Sequence, residues 1–133
     1  METIFVDTSA FLALVNANED VHQSAVDAWD DALASGAAFV TSNYVVVESV
    51  ALIQNRLGIH PAQQLSEELL PLIEVHWIGE EQHGEALDHV IAANRRNLSL
   101  VDCSSFSTMR RLDIHTVFTF DDHFREQGFR VIP

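Results

Sequence analysis

Short runs of β-branched and aromatic residues alternate with longer segments of helical period along this chain, and that alternation limits the folds open to it. The pattern predicts strands over residues 3–6, 38–41, 73–78, 116–118 and 129–132. It predicts helices over 9–16, 20–35, 43–57, 61–70, 80–94 and 102–112. Gly36 and Gly58 close two of the helices, and Pro61 sits in the first turn of another, where its missing N–H costs least. Residues 73–78 place Ile73, Val75 and Trp77 on one side and Glu74 and His76 on the other, as a half-buried strand would. Residues 80–94 place Leu87, Val90 and Ile91 on one helical face. Strands alternating with helices imply an α/β fold, a mostly parallel central sheet of about five strands with helices on both faces. With 133 residues and no linker, repeat or low-complexity stretch, the chain reads as one domain, 1–133.

In such sheets ligands bind beyond the carboxyl ends of strands, so the polar residues that follow strands matter most. Asp7 follows Ile4-Phe5-Val6. Asp121 follows Val117-Phe118-Thr119-Phe120. Asp102 follows Leu98-Ser99-Leu100-Val101, read as a strand end, and opens a helix. Each has an ordinary alternative: Asp7 and Asp102 as N-caps, Asp121-Asp122 as turn formers. Glu48 has no such alternative. It lies inside Tyr44-Val45-Val46-Val47-Glu48-Ser49-Val50-Ala51-Leu52-Ile53, a helix apolar enough to bury it, and buried carboxylates need a partner or a metal. A tertiary salt bridge is the competing explanation for that residue.

Three carboxylates at one sheet edge and a fourth on a neighbouring helix would repel one another unless a cation cancels their charge. Hard oxygen donors suit Mg²⁺ or Mn²⁺ rather than Zn²⁺. Such clusters support phosphodiester hydrolysis by metal-activated water, with no protein nucleophile.

The charge balance argues the other way. Seven arginines face twenty Asp and Glu, lysine is absent, and the net charge is −13. Nucleic-acid binding depends on neutralising phosphates, so an acidic chain needs bound cations to hold RNA. The pairs Arg95-Arg96 and Arg110-Arg111 are either a local basic rim or solubilising helix ends. Seven histidines show no i, i+4 pair and are read as surface or partly satisfied residues rather than zinc ligands. Cys103, a single cysteine, forms no internal disulfide and reads as core. Trp29 and Trp77 also read as core. No signal peptide or membrane span is recognisable, so a cytoplasmic protein with no membrane partner is expected.

The motifs Val6-Asp7-Thr8-Ser9-Ala10, a glutamate in the helix after Phe39-Val40-Thr41-Ser42, Ser99-Leu100-Val101-Asp102, and Thr119-Phe120-Asp121-Asp122-His123-Phe124 resemble the PIN-domain family. Their order and spacing are most similar to VapC-type toxins of toxin–antitoxin pairs, over essentially the whole chain. The resemblance implies an α/β/α sandwich and a Mg²⁺- or Mn²⁺-dependent endoribonuclease. It implies Asp7, Glu48, Asp102 and Asp121 as catalytic, metal-binding residues, with Ser9 and Thr119 supporting them and Asp122 beside the family position. It also implies a homodimer and inhibition by a small antitoxin. A free-standing PIN RNA-processing nuclease and a non-catalytic PIN-fold binding module are the alternatives. A phosphotransfer receiver domain fits poorly, because such sites use a lysine and this chain has none.

Overall fold

The computed structural model describes residues 2–133. Five strands form one sheet: β1 Thr3–Val6, β2 Ala38–Ser42, β3 Ile73–His76, β4 Thr116–Phe118 and β5 Arg130–Ile132. Their order is β3-β2-β1-β4-β5, and every neighbouring pair is parallel, so the sheet is parallel throughout. The central strands carry Ile4-Phe5-Val6 and Val117-Phe118, all buried. Continuous apolar runs are what strands covered on both faces require.

The helices are α1 Thr8–Val15, α2 His22–Ala34, α3 Asn43–Leu57, α4 Ile59–Gln64, α5 Glu80–Ala93, α6 Leu100–Arg111 and α7 His123–Glu126. From β1 the chain steps outward through β2 to β3, then crosses back to β4 and β5. Right-handed crossovers put α1–α4 on one face and α5–α7 on the other. The reversal leaves a switch point between β1 and β4, where the loops after the two strands part in opposite directions. Ser42 caps α3, its hydroxyl accepting from the Val45 N–H at 3.2 Å. Gly58 ends α3 at φ 105°, a backbone angle that residues with a Cβ rarely adopt.

The core near the switch point is aromatic. Phe106 on α6 meets Phe124 on α7 edge to face, with ring centroids 5.0 Å apart at 83°, and Phe129 lies beside both. Such contacts add roughly 0.5–1.5 kcal/mol beyond the area they bury. Four-residue α7 is far too short to be stable alone. The fully buried Phe124 ring is therefore what holds α7, and the acidic loop ahead of it, in place. On the opposite face Trp29 of α2 stacks on Phe39 of β2 at 4.3 Å.

Four expectations change. Residues 98–101 are not a strand: Ser99 caps α6, so Leu100 and Val101 are already helical and Asp102 is the third helical residue. Trp77 is 76% exposed rather than core. The sheet ends at His76, and the Asn43 side chain takes over the backbone beyond it, accepting from Ile78 N–H at 2.7 Å. Helix α5 buries Gln82 and Ala86, not Leu87 and Ile91, which stay exposed. Gln82 decides that orientation, because its amide donates to Thr108 at 2.9 Å and pairs with His76 at 2.9 Å. The predicted helix over 61–70 starts at Ile59, then loosens into a π turn at Leu65–Leu69 and a 3₁₀ turn at Leu70–Leu72.

Replacing Phe124 with Ala should cost about 3–5 kcal/mol, the usual range for a fully buried ring. Urea unfolding measures it; a loss below about 1 kcal/mol would mean that α7 is held by something else.

Candidate functional site

Asp7 stands one residue beyond β1. Its N–H donates to the Phe118 carbonyl at 3.1 Å, which extends the β1–β4 pairing to the sheet edge. Its side chain makes no capping bond to α1, so the N-cap alternative fails here. Instead the Thr119 hydroxyl donates to Asp7 Oδ2 at 2.8 Å and the Ser9 hydroxyl to the same oxygen at 3.0 Å. The two hydroxyl oxygens are 3.0 Å apart. Each has one proton, and both protons go to Asp7, so the pair acts as a two-pronged clamp. Backbone groups complete it: the Phe120 N–H donates to Ser9 at 2.9 Å and the Asp121 N–H to Thr119 at 3.0 Å.

Asp7 is only 4% exposed. Burial pushes its carboxyl up to about 6 from an ordinary 3.8; bonds from Thr119, the Thr8 backbone and Ser9 oppose this, and the charge on Asp102 adds to it. Burial also raises Asp102, with the charge on Asp121 contributing and the Ser99 bonds and His123 opposing. In both, burial outweighs the bonds and charges that favour the ionised form.

Asp102 and Ser99 form a capping box. The Ser99 N–H donates to Asp102 Oδ2 and the Asp102 N–H to the Ser99 hydroxyl, both at 3.0 Å. Asp121 Oδ1 accepts the His123 N–H at 2.9 Å, closing a tight turn, so the turn-forming reading of Asp121 holds as well. That turn brings the His123 ring to the two aspartates. Its Nδ1 lies 3.1 Å from Asp121 Oδ1 and 3.5 Å from Asp102 Oδ2. Nδ1 is buried, and the angles at it satisfy a hydrogen bond to neither. One donor atom from each of Asp102, Asp121 and His123 lies within 4.8 Å of the others.

Glu48 is half-buried rather than buried. Helix α3 turns Val45, Ser49 and Ile53 inward, and Val47 is 69% exposed, so the apolar run is longer than the core it serves. Glu48 lines a cleft of about 310 Å³ with Asn43, Tyr44, Val47 and Val101, the last adjacent to Asp102. Asp122 is largely exposed and pairs with Arg125 at 3.0 Å, away from the other acids. His123, which the sequence places among histidines that are surface or partly satisfied, lies instead at the acids, and its position two residues after Asp121, within reach of an Asp-centred turn, is the signal for it.

Two partly buried carboxylates and a buried nitrogen without a partner lie close enough together to hold a divalent cation. A larger cavity of about 550 Å³ lies elsewhere, lined by Glu2, Ile4, Asp31 and Arg130 among others. It includes none of the four acids proposed for the site. The arginines are mostly committed: Arg95 to Glu126, Arg111 to Glu85, Arg125 to Asp122, and Arg130 to Glu2. Arg110 donates to Gln127 and lies over Phe129. Among the described residues no helix is long and apolar enough to cross a membrane.

Comparison with known proteins gives a consistent picture. The PIN domain profile matches residues 4–130. The 23S rRNA-specific endonuclease VapC20 of Mycobacterium tuberculosis is 31% identical over 127 residues, 95% of each chain. The crystal structure of VapC20, a sarcin-ricin loop cleaving toxin, matches with a TM-score of 0.87, covering 98% of this chain and 99% of that one. VapBC2 from Rickettsia felis, bound to a promoter DNA fragment, matches with a TM-score of 0.70 at 14% identity, over 97% and 96% of the chains, which is a likeness of fold alone.

The raised Asp7 pKa fixes the sign of a stability effect. The folded state holds this proton up to about pH 6 and the unfolded chain only to about 3.8, so the group lowers stability as pH rises between those values. Above that window the full penalty is about 3 kcal/mol. Without metal, Asp7→Asn should therefore be more stable than wild type at pH 7.5, and the difference should shrink toward pH 4 in denaturant titrations. A destabilised variant at pH 7.5, or a difference independent of pH, would contradict this.

Proposed function

Since the chain belongs to the PIN-domain family, we propose that it is a divalent-cation-dependent endoribonuclease and the toxin of a toxin–antitoxin pair. The observation that carries this reading is the gathering of Asp102 and Asp121 beside the β1–β4 switch point, with Asp7 buried at the end of β1 and sensing the charge on Asp102. Asp7, Glu48, Asp102 and Asp121 are the residues proposed to hold Mg²⁺ or Mn²⁺. When bound, such an ion activates water for attack on a phosphodiester and stabilises the leaving oxygen.

The residues around it have separable tasks. Ser9 and Thr119 fix the orientation of the Asp7 carboxylate by donating to one of its oxygens. The Ser99 bond fixes Asp102, and the tight turn fixes Asp121. A site held this way loses little on reaching its reactive geometry. With four of the seven arginines tied to acids, a bound cation would add positive charge for an RNA phosphate at the site itself. Such a contribution would offset part of the repulsion expected of a chain of net charge −13.

The relative VapC20 carries the description of a 23S rRNA-specific endonuclease, which makes 23S rRNA the first substrate to test. An antitoxin segment is proposed to enter the cleft beside Glu48, where exposed Val47 offers apolar surface next to the acids. The homodimer implied by the family is carried forward with it, exposed Trp77 and Ile91 being surfaces that such partners would cover.

Purified protein incubated with 23S rRNA and Mn²⁺ should give a discrete cleavage site by primer extension, lost on adding EDTA. Asp7→Asn should lower the rate by at least about 10²-fold, the scale on which one charge-stabilising group acts. Most of the activity surviving in that variant would refute the assignment.

A further inference from the structure

We propose that His123 Nδ1 is a direct ligand of the catalytic cation, so that the centre has a mixed nitrogen and oxygen donor set and selects Mn²⁺ over Mg²⁺. The proposal rests on the nuclease reading and extends it to a residue outside the four carboxylates.

Three features of His123 converge. The first is an unpaired nitrogen. Nδ1 is buried near two carboxylates yet aligned with neither. A buried polar atom without a partner calls for one, and a cation held between the two carboxylates would supply it. With the proton on Nε2, the Nδ1 electron pair is available to a cation.

The second is spacing. Nδ1 stands 3.1 Å from Asp121 Oδ1 and 3.5 Å from Asp102 Oδ2. Neighbouring ligands of an octahedral ion with bonds of about 2.1 Å lie about 3 Å apart. Those two separations are close to what ligands of one ion show, and one donor atom from each of the three residues lies within 4.8 Å of the others.

The third is rigidity. The His123 backbone N–H is bonded to Asp121 Oδ1, and the next residue is the buried Phe124. The ring itself is only 13% exposed. A backbone held on either side of the residue and a mostly enclosed ring limit where Nδ1 can go, which favours ligation.

The donor chemistry gives the selectivity. Mg²⁺ prefers oxygen alone and keeps its waters, whereas first-row transition ions accept imidazole more readily. Mn²⁺ is the ion of that row that also suits carboxylates.

The test is electron paramagnetic resonance of metal-free protein titrated with Mn²⁺. Electron spin echo spectra of the wild type should show modulation from an imidazole nitrogen bound to Mn²⁺. His123→Ala should lose that modulation and bind Mn²⁺ at least about tenfold more weakly, with a smaller change for Mg²⁺ measured by competition. Mn²⁺ bound by the wild type without nitrogen modulation overturns the proposal and leaves the carboxylate site standing. Modulation that persists in His123→Ala overturns it in the same way. No Mn²⁺ binding by the wild type removes both the proposal and the reading beneath it. The wild-type spectrum needs no variant, so misfolding of His123→Ala cannot shield the proposal.

Discussion

A carboxylate sealed at the seam between two central parallel strands is the constraint on which the rest of this molecule depends. Asp7 extends the β1–β4 pairing through its backbone and collects two hydroxyl protons through its side chain. Those hydroxyls are themselves held by the Phe120 and Asp121 N–H groups. The end of β1, the start of α1 and the loop after β4 are therefore one hydrogen-bonded body. The hydroxyls offset part of the cost of burying the charge but not all of it, since the carboxyl still rises to about 6.

Much of the architecture was legible in the sequence because two-sided burial writes a simple signature. Ile4-Phe5-Val6 and Val117-Phe118 are continuous apolar runs, and the acids placed just after them are where ligands to a parallel sheet belong. Asp102 was placed through a wrong intermediate. Leu98-Ser99-Leu100-Val101 looks like a strand, but the Ser99–Asp102 box starts a helix inside it. Local capping chemistry overrode apolar composition. Glu48 shows the opposite error: an apolar neighbourhood in sequence was taken for burial, while the helix exposes Val47 and half-exposes Glu48.

Other features were invisible for want of a tertiary partner. Nothing near Gln82 signals that it bridges His76 and Thr108 and so rotates α5 away from its Leu87–Ile91 stripe. Trp77 leaves the sheet because Asn43, more than thirty positions earlier, holds the backbone at Ile78. His123 lacked a histidine partner at metal-binding spacing. Its partners are aspartates, one two residues away and one on a different helix.

The site's bonds differ greatly in their reach along the chain. Ser99 to Asp102 spans three residues and Asp121 to His123 spans two, whereas Thr119 to Asp7 spans 112. Local contacts form early, and a central parallel pairing between distant strands carries a large loop-closure cost and forms slowly. Two fragments of the centre can thus exist in a partly folded chain, but the clamp on Asp7 exists only once β1 and β4 have met. Completion of the site is in effect a report that the whole topology has closed.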